Sequence, residues 1–219
     1  MRGVVESTIP RASWDALGEV QSDGQAIERH LDAVLSLPFV KADAIRKRRF
    51  RVALDCAHGA GGAIIPELLR RLGCEVHAIN LETDGRFTRS PEPVASNLGD
   101  LERLVLESNA EVGLATDPDV DRLALVSDQG LAIGEDWTLA LAARLVLKYR
   151  RGPVVANLST SRIVDDVAKE AGTEVVRAPV GEVNVAVRMR REGATIGGEG
   201  NGGVILSEVH LGRDAPVGV

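Results

Sequence analysis

Two periods of apolar spacing alternate along this chain, and the alternation occurs twice. Short apolar runs such as 51–55, 112–115, 123–126 and 153–157 have the length and side-chain type of buried strands. Between them lie longer stretches with apolar residues three and four positions apart, the spacing of amphipathic helices. In the first half, Arg51 to Asp55 predicts a strand, and the turn His58-Gly59-Ala60-Gly61-Gly62 leads to a helix over Ala63 to Leu72. Gly73 stops that helix, and Cys74 to Asn80 predicts the next strand. In the second half, Pro153 to Asn157 predicts a strand and Ser159-Thr160-Ser161 caps a helix over Arg162 to Ala171. Gly172 stops this one, and Glu174 to Arg177 predicts a strand.

The parallel continues. A helix over Leu101 to Ser108 leads to two strands around a loop at Asp117, and a helix over Val183 to Arg191 leads to a loop at Gly197 to Gly203 and a strand over Val204 to Leu206. Each half therefore reads β-α-β-α-β-loop-β, with the two unusual loops at the same place. Ligands collect beyond the strand ends in open α/β sheets, so both loops are expected to face one cleft. The helix predicted over Leu139 to Tyr149, after Gly134-Glu135-Asp136, begins the second unit, and residues 81–97 form an insertion that this unit lacks. A first helix spans Gln25 to Leu37 and ends at Pro38. The expected organisation is a connector over 1–24, one unit over 25–131 and a second over 132–219. Asp214 is placed to cap a helix, but the chain reaches Val219 before one full turn. The expectation is a segment of a longer protein, with the second unit incomplete at its C-terminal end.

Composition narrows the function classes. Of 219 residues, 44% are apolar but only 3% aromatic, so the core is aliphatic and few rings are available to stack on bases. A net charge of −6 argues against nucleic acid or an anionic membrane as partner. Cys56 and Cys74 form no Cys-x-x-Cys pair, and neither a signal-like leader nor a membrane-length apolar run is visible. A soluble cytoplasmic protein with reduced thiols is expected.

The chemistry concentrates at Asp117-Pro118-Asp119-Val120-Asp121-Arg122, where three carboxylates alternate on a short loop and a guanidinium follows. Left uncompensated, they repel one another, and a cation resolves the conflict. Oxygen ligands without nearby His or Cys favour Mg²⁺, then Ca²⁺ or Mn²⁺, over zinc. An EF-hand starting at Asp117 needs Gly sixth and Glu twelfth, where Arg122 and Asp128 stand. An aspartyl-nucleophile phosphatase also opens on Asp-x-Asp, but Asp121 occupies its fifth position, where Thr or Val is usual.

Together these motifs resemble the α-D-phosphohexomutase family of phosphoglucomutases, phosphomannomutases and phosphoglucosamine mutases. Asp117 to Arg122 is similar to the family's magnesium loop, and Asp55 to Gly62 to its Asp-x-Ala/Cys-Asn-Gly-Ala-Gly turn. Pro91-Glu92-Pro93 with Asn97-Leu98 is similar to the segment that follows that turn. Gly198-Glu199-Gly200-Asn201-Gly202 resembles the sugar-recognition loop. The resemblance covers the family's second domain and most of its third, each an α/β/α sandwich on a mixed, mainly parallel sheet. It implies intramolecular phosphoryl transfer between the 1- and 6-positions of a hexose or hexosamine phosphate. Asp117, Asp119 and Asp121 would bind Mg²⁺, Arg122 would face the phosphate as a catalytic group, and Glu199 and Asn201 would bind sugar hydroxyls, with Gly198 and Gly200 giving backbone access.

The family's phosphoserine segment in the first domain and its phosphate clamp in the fourth have no counterpart here. Those two domains are thus the implied partners, a homodimer stays open, and the chain alone is expected to be inactive. Val120 stands where the family has Gly, and His58 where it has Asn. The resemblance to the phosphoglucosamine mutase branch rests on Asn201. Two other readings stay open from the sequence: a non-catalytic sugar-phosphate binding module and the aspartyl-nucleophile phosphatase.

Overall fold

The computed structural model describes residues 12–219, so residues 1–11 of the expected connector lie outside it. Residues 12–24 are exposed and carry one 3-10 turn, Trp14–Ala16. The elements that follow are α1 (Ala26–Leu35), α2 (Ala42–Arg48), β1 (Arg51–Asp55), α3 (Gly61–Arg71), β2 (Glu75–Ile79), α4 (Gly99–Ser108), β3 (Val112–Thr116) and β4 (Leu123–Ser127). Then come α5 (Asp136–Val146), β5 (Val154–Asn157), α6 (Ile163–Glu170), β6 (Val175–Ala178), α7 (Glu182–Glu192), β7 (Ile196–Glu199), β8 (Gly203–Leu206) and α8 (Ala215–Gly218).

The strands form two sheets of identical plan. The first has the order β2-β1-β3-β4 and the second β6-β5-β7-β8. In each, three strands are parallel and the last, joined by a short loop, is antiparallel. Parallel pairing requires crossover helices, which cover both faces and make the strands apolar throughout. The period-two rule assigns the faces: Val52 and Leu54 pack under α3 with Ile65 and Leu68, while Ala53 packs under α4 with Leu101 and Val105. The second sheet repeats this, with Val154 and Ala156 facing α5 and α6 and Val155 facing Val185 and Met189 of α7. The expected fold class holds. Among the described residues no helix is long and apolar enough to cross a membrane.

Three sequence expectations change in detail. The first helix is shorter than Gln25 to Leu37, because the chain turns after Leu35 and inserts Leu37 and Phe39 into the second sheet's core. Helix α5 starts at Asp136, three residues before Leu139, and ends at Val146. The Ser159-Thr160-Ser161 cap is replaced by a different arrangement. The Ser159 and Thr160 hydroxyls donate to Asn157 Oδ1 at 3.1 and 2.7 Å, and only Ser161 Oγ serves α6, accepting from Ile163 N at 3.3 Å. Gly73 and Gly172 do follow the last turns of their helices, both in the left-handed region. Asp214 caps α8, accepting from Val217 N at 3.4 Å.

Candidate functional site

Duplication puts the loop between β3 and β4 and the loop between β7 and β8 at equivalent sheet ends, and they touch. Leu123 N, just after the acidic loop, donates to Gly202 O at 3.0 Å. Gly202 has φ 93°, and any Cβ there would run into the Leu123 backbone, so only glycine allows this contact. Below the acidic loop, Ala60 N donates to Pro118 O at 2.8 Å, and Gly59 leaves no room for a side chain against Pro118. The turn 57–62 thus buttresses the acidic loop. Val120, at the position where the family has Gly, sits at φ 60°, in the left-handed region where a β-branched residue is strained. Its carbonyl accepts from Ala215 N at 3.0 Å, which ties the strained residue to the C-terminal segment.

Asp117, Asp119 and Asp121 offer carboxylate oxygens that all lie within 4.8 Å of one another. Their environments differ. Asp117 is fully buried; its Oδ1 accepts from Asp121 N (3.1 Å) and Arg122 N (3.0 Å), and its Oδ2 from Arg122 Nε (2.6 Å). Asp119 is exposed. Asp121 keeps Oδ1 buried without a hydrogen-bond partner among the described residues. Burial opposes the charge on Asp117, but the Arg122 bonds outweigh it and lower its pKa. Burial, then contact with Asp117, pushes Asp121 up to about 7. A hard divalent cation fits this set: all donors are carboxylates, and one buried oxygen, Asp121 Oδ1, accepts no hydrogen bond among the described residues, with Arg122 Nε 3.6 Å away.

Arg122 is held between Asp117 and Glu92, so Glu92 orients the guanidinium from the 81–97 segment. That segment is anchored by Arg89, whose Nε donates to buried Asp55 Oδ2 at 2.6 Å and whose Nη2 donates to Thr116 O at 3.0 Å, next to Asp117.

In the glycine loop, Glu199 is buried. Its Oε1 accepts from Asn157 Nδ2 (2.7 Å) and Gly181 N (3.0 Å), and its Oε2 from Arg213 Nη1 (2.9 Å). Asn201 Oδ1 accepts from Gly203 N at 3.2 Å, which leaves its amide nitrogen for other partners. The glycines are needed by the protein itself: a Cβ at Gly198 would meet Gly203 O, and one at Gly200 would meet Asp136 Oδ1. From the sequence, Arg213 lies near the glycine loop and could approach a ligand, but it has no assigned role there; in the structure it reaches both loops through Glu199 Oε2 and Asp121 Oδ2. Sequence reasoning passed over Arg89. His58, in the buttressing turn, lies 3.4 Å from Asp84 Oδ1 through Nδ1, outside the acidic cluster. Two surface hollows, one beside α2 and one beside α7, are lined by no residue of either loop.

The chain matches the family description "Phosphoglucomutase/phosphomannomutase, alpha/beta/alpha domain II" over residues 28–130 and the corresponding domain III over residues 134–219. A probable phosphoglucosamine mutase of Methanopyrus kandleri is 38% identical over 98% of this chain and 47% of its own length. A phosphoglucomutase/phosphomannomutase of Thermococcus kodakarensis is 40% identical over 93% of this chain and 44% of its own. The crystal structure of a putative phosphomannomutase from Thermus thermophilus superposes with a TM-score of 0.79 at 26% identity, covering 88% of this chain and 45% of that one. The chain spans about half the length of the curated relatives it matches. With two successive domain matches in the order of the two duplicated sheets, the chain belongs to the phosphoglucomutase/phosphomannomutase family.

Proposed function

We propose that this chain is the metal- and sugar-binding portion of a hexose- or hexosamine-phosphate mutase, and that the phosphoserine and the phosphate clamp come from domains outside it. One observation carries the reading: the acidic and glycine loops, on equivalent ends of two duplicated sheets, are joined by a backbone hydrogen bond and by Arg213. Asp117, Asp119 and Asp121 would hold Mg²⁺, which when bound neutralises charge on a transferring phosphoryl group. Arg122, fixed by Asp117 and Glu92, presents a guanidinium beside the same place. Across the junction, Asn201 offers its amide nitrogen and Glu199 the remaining acceptor capacity of its carboxylate to sugar hydroxyls, while Gly198 and Gly200 keep their strand and loop backbones close. Transfer between the 1- and 6-positions needs the sugar to present each end in turn to one cation site, and the two adjoining loops would divide those tasks between cation and sugar. The names of several relatives and the Asn201 loop favour a hexosamine phosphate.

Two alternatives lose ground on specific grounds. For a phosphatase nucleophile, Asp117 would need an open line to phosphorus, and it is fully buried with both oxygens bonded. For a non-catalytic module, nothing requires Arg122 to be oriented from two sides, as it is here.

The test starts from the native polypeptide in its source cells. A product about twice this size is expected, as the relatives' lengths suggest. Purified, it should interconvert glucosamine 6-phosphate and glucosamine 1-phosphate, or the glucose pair, in a Mg²⁺-dependent way. A product of this size that binds sugar phosphate without turnover would replace the mutase by the binding module.

A further inference from the structure

Arg213 links two loops that lie far apart in sequence. Its Nη1 donates to Glu199 Oε2 at 2.9 Å, its Nη2 pairs with Asp121 Oδ2, and its backbone N–H donates to Glu182 Oε1 at 2.7 Å. The side chain is only 17% exposed, and its stem lies so close over Gly203 that no side chain fits there. The guanidinium is therefore held between the Glu199 and Asp121 carboxylates, with Glu182 Oε2 3.8 Å from its Nε.

The three aspartates do not share the acidic loop's charge equally. Asp117 is satisfied by Arg122 and backbone N–H groups, and Asp119 stands in solvent. Asp121 has Oδ2 on Arg213, while Oδ1 is buried with no hydrogen bond among the described residues and only the Arg122 Nε, 3.6 Å away, as a charged neighbour. An arriving divalent cation and Arg213 thus compete for the same carboxylate, and two positive groups at one carboxylate repel each other. Glu199 has two further donors, Asn157 Nδ2 and Gly181 N.

We propose that Arg213 is a positioning residue that acts as an internal counter-ion: it holds Asp121 to Glu199 until a divalent cation takes Asp121, so that cation binding is coupled to the geometry of the sugar loop. The proposal rests on the reading of the acidic loop as a cation site. Two consequences follow from the sign of the charges. Displacing the guanidinium costs cation affinity, so removing it raises that affinity. And because coupling is reciprocal, cation binding must reach the Glu199 carboxylate and its Gly181 partner.

The test uses the whole 219-residue chain with Mn²⁺ as a hard-cation probe read by water-proton relaxation, and Mg²⁺ for amide NMR. Arg213→Gln is expected to bind Mn²⁺ about tenfold more tightly than the unaltered chain, within the usual range for coupled sites. Arg213→Lys, a smaller change to the fold, is expected to fall between the two and carries the test if the Gln variant does not fold. Mg²⁺ should shift the Gly181 amide signal in the unaltered chain and leave it in place in Arg213→Gln. Equal or weaker Mn²⁺ binding by both variants, beside clear binding by the unaltered chain, overturns the counter-ion role and leaves the cation site standing. Absence of Mn²⁺ binding in all three overturns the cation site and the proposal with it.

Discussion

Single residues in the acidic loop divide into those the protein needs for its fold and those it does not. Asp119 is exposed, so Asp119→Asn should change stability by less than about 0.5 kcal/mol, as surface changes do, while weakening Mn²⁺ binding at least tenfold. Thermal unfolding and a metal titration on one preparation check both halves; unchanged metal affinity would remove Asp119 from the site. Val120 is a β-branched residue held at φ 60°, with its side chain partly packed on the first core. Val120→Gly relieves backbone strain and gives up that packing and some chain stiffness, so the net change should stay within about 1 kcal/mol in either direction. Urea unfolding measures it, and a loss above about 2 kcal/mol would mean that the valine's packing outweighs the strain. At this scale the sequence was informative for the three aspartates, because alternate carboxylates on a short loop carry their own electrostatic argument. It put Arg213 near the glycine loop but could not show its contact with Asp121, which lies 92 positions away and meets it only through the tertiary fold.

Among the elements, the strands and long helices were legible because each has an apolar stripe or run that burial demands. Helix α2 was not: Ala42–Arg48 ends in Arg46-Lys47-Arg48, buries no residue fully and has no stripe to read. The Ser159-Thr160-Ser161 cap misled for a different reason, since Asn157 takes two of the three hydroxyls before the helix can use them. The 81–97 segment looked like a plain insertion, yet Arg89 fastens it to Asp55, a carboxylate 1% exposed at the end of β1. Removing one partner of a buried ion pair leaves the other charged and unpaired, so Arg89→Ala should cost about 3 kcal/mol. Asn80 and the Ala57 N–H still support Asp55, which places the expectation at the lower end of the usual range. Chemical denaturation reads the loss, and a value under about 1 kcal/mol would show that the pair is not what holds the segment.

Over the whole molecule, the two units are joined at the C-terminal segment, a feature the duplicated pattern did not announce. Ala215 belongs to the first sheet's core although it follows the second sheet, and Asp214 Oδ2 lies 2.8 Å from Nε2 of both His30 on α1 and His210. The bond with Asp214 raises the pKa of His210 against the opposing effect of burial. A histidine with a raised folded pKa adds stability that is fully present below its unfolded value near 6.5 and is lost as pH rises through the folded value. Gly212 N donates to His210 Nδ1 at 3.0 Å in the neutral ring, and protonation gives up that bond, which offsets part of the gain. Stability of the unaltered chain should therefore decline from pH 6 toward pH 8 relative to His210→Gln, and parallel curves for the two would contradict a role for this imidazole in the joint.

The central claim is that the acidic loop holds a hard cation at the junction of the two sheets, and the most direct measurement is the anomalous scattering of crystals of this chain soaked in Mn²⁺. The account predicts a peak between the carboxylates of Asp117, Asp119 and Asp121, with the Arg213 guanidinium moved off Asp121. A fully formed acidic loop with no peak there, or a peak only at His30, His210 and Asp214, would contradict it.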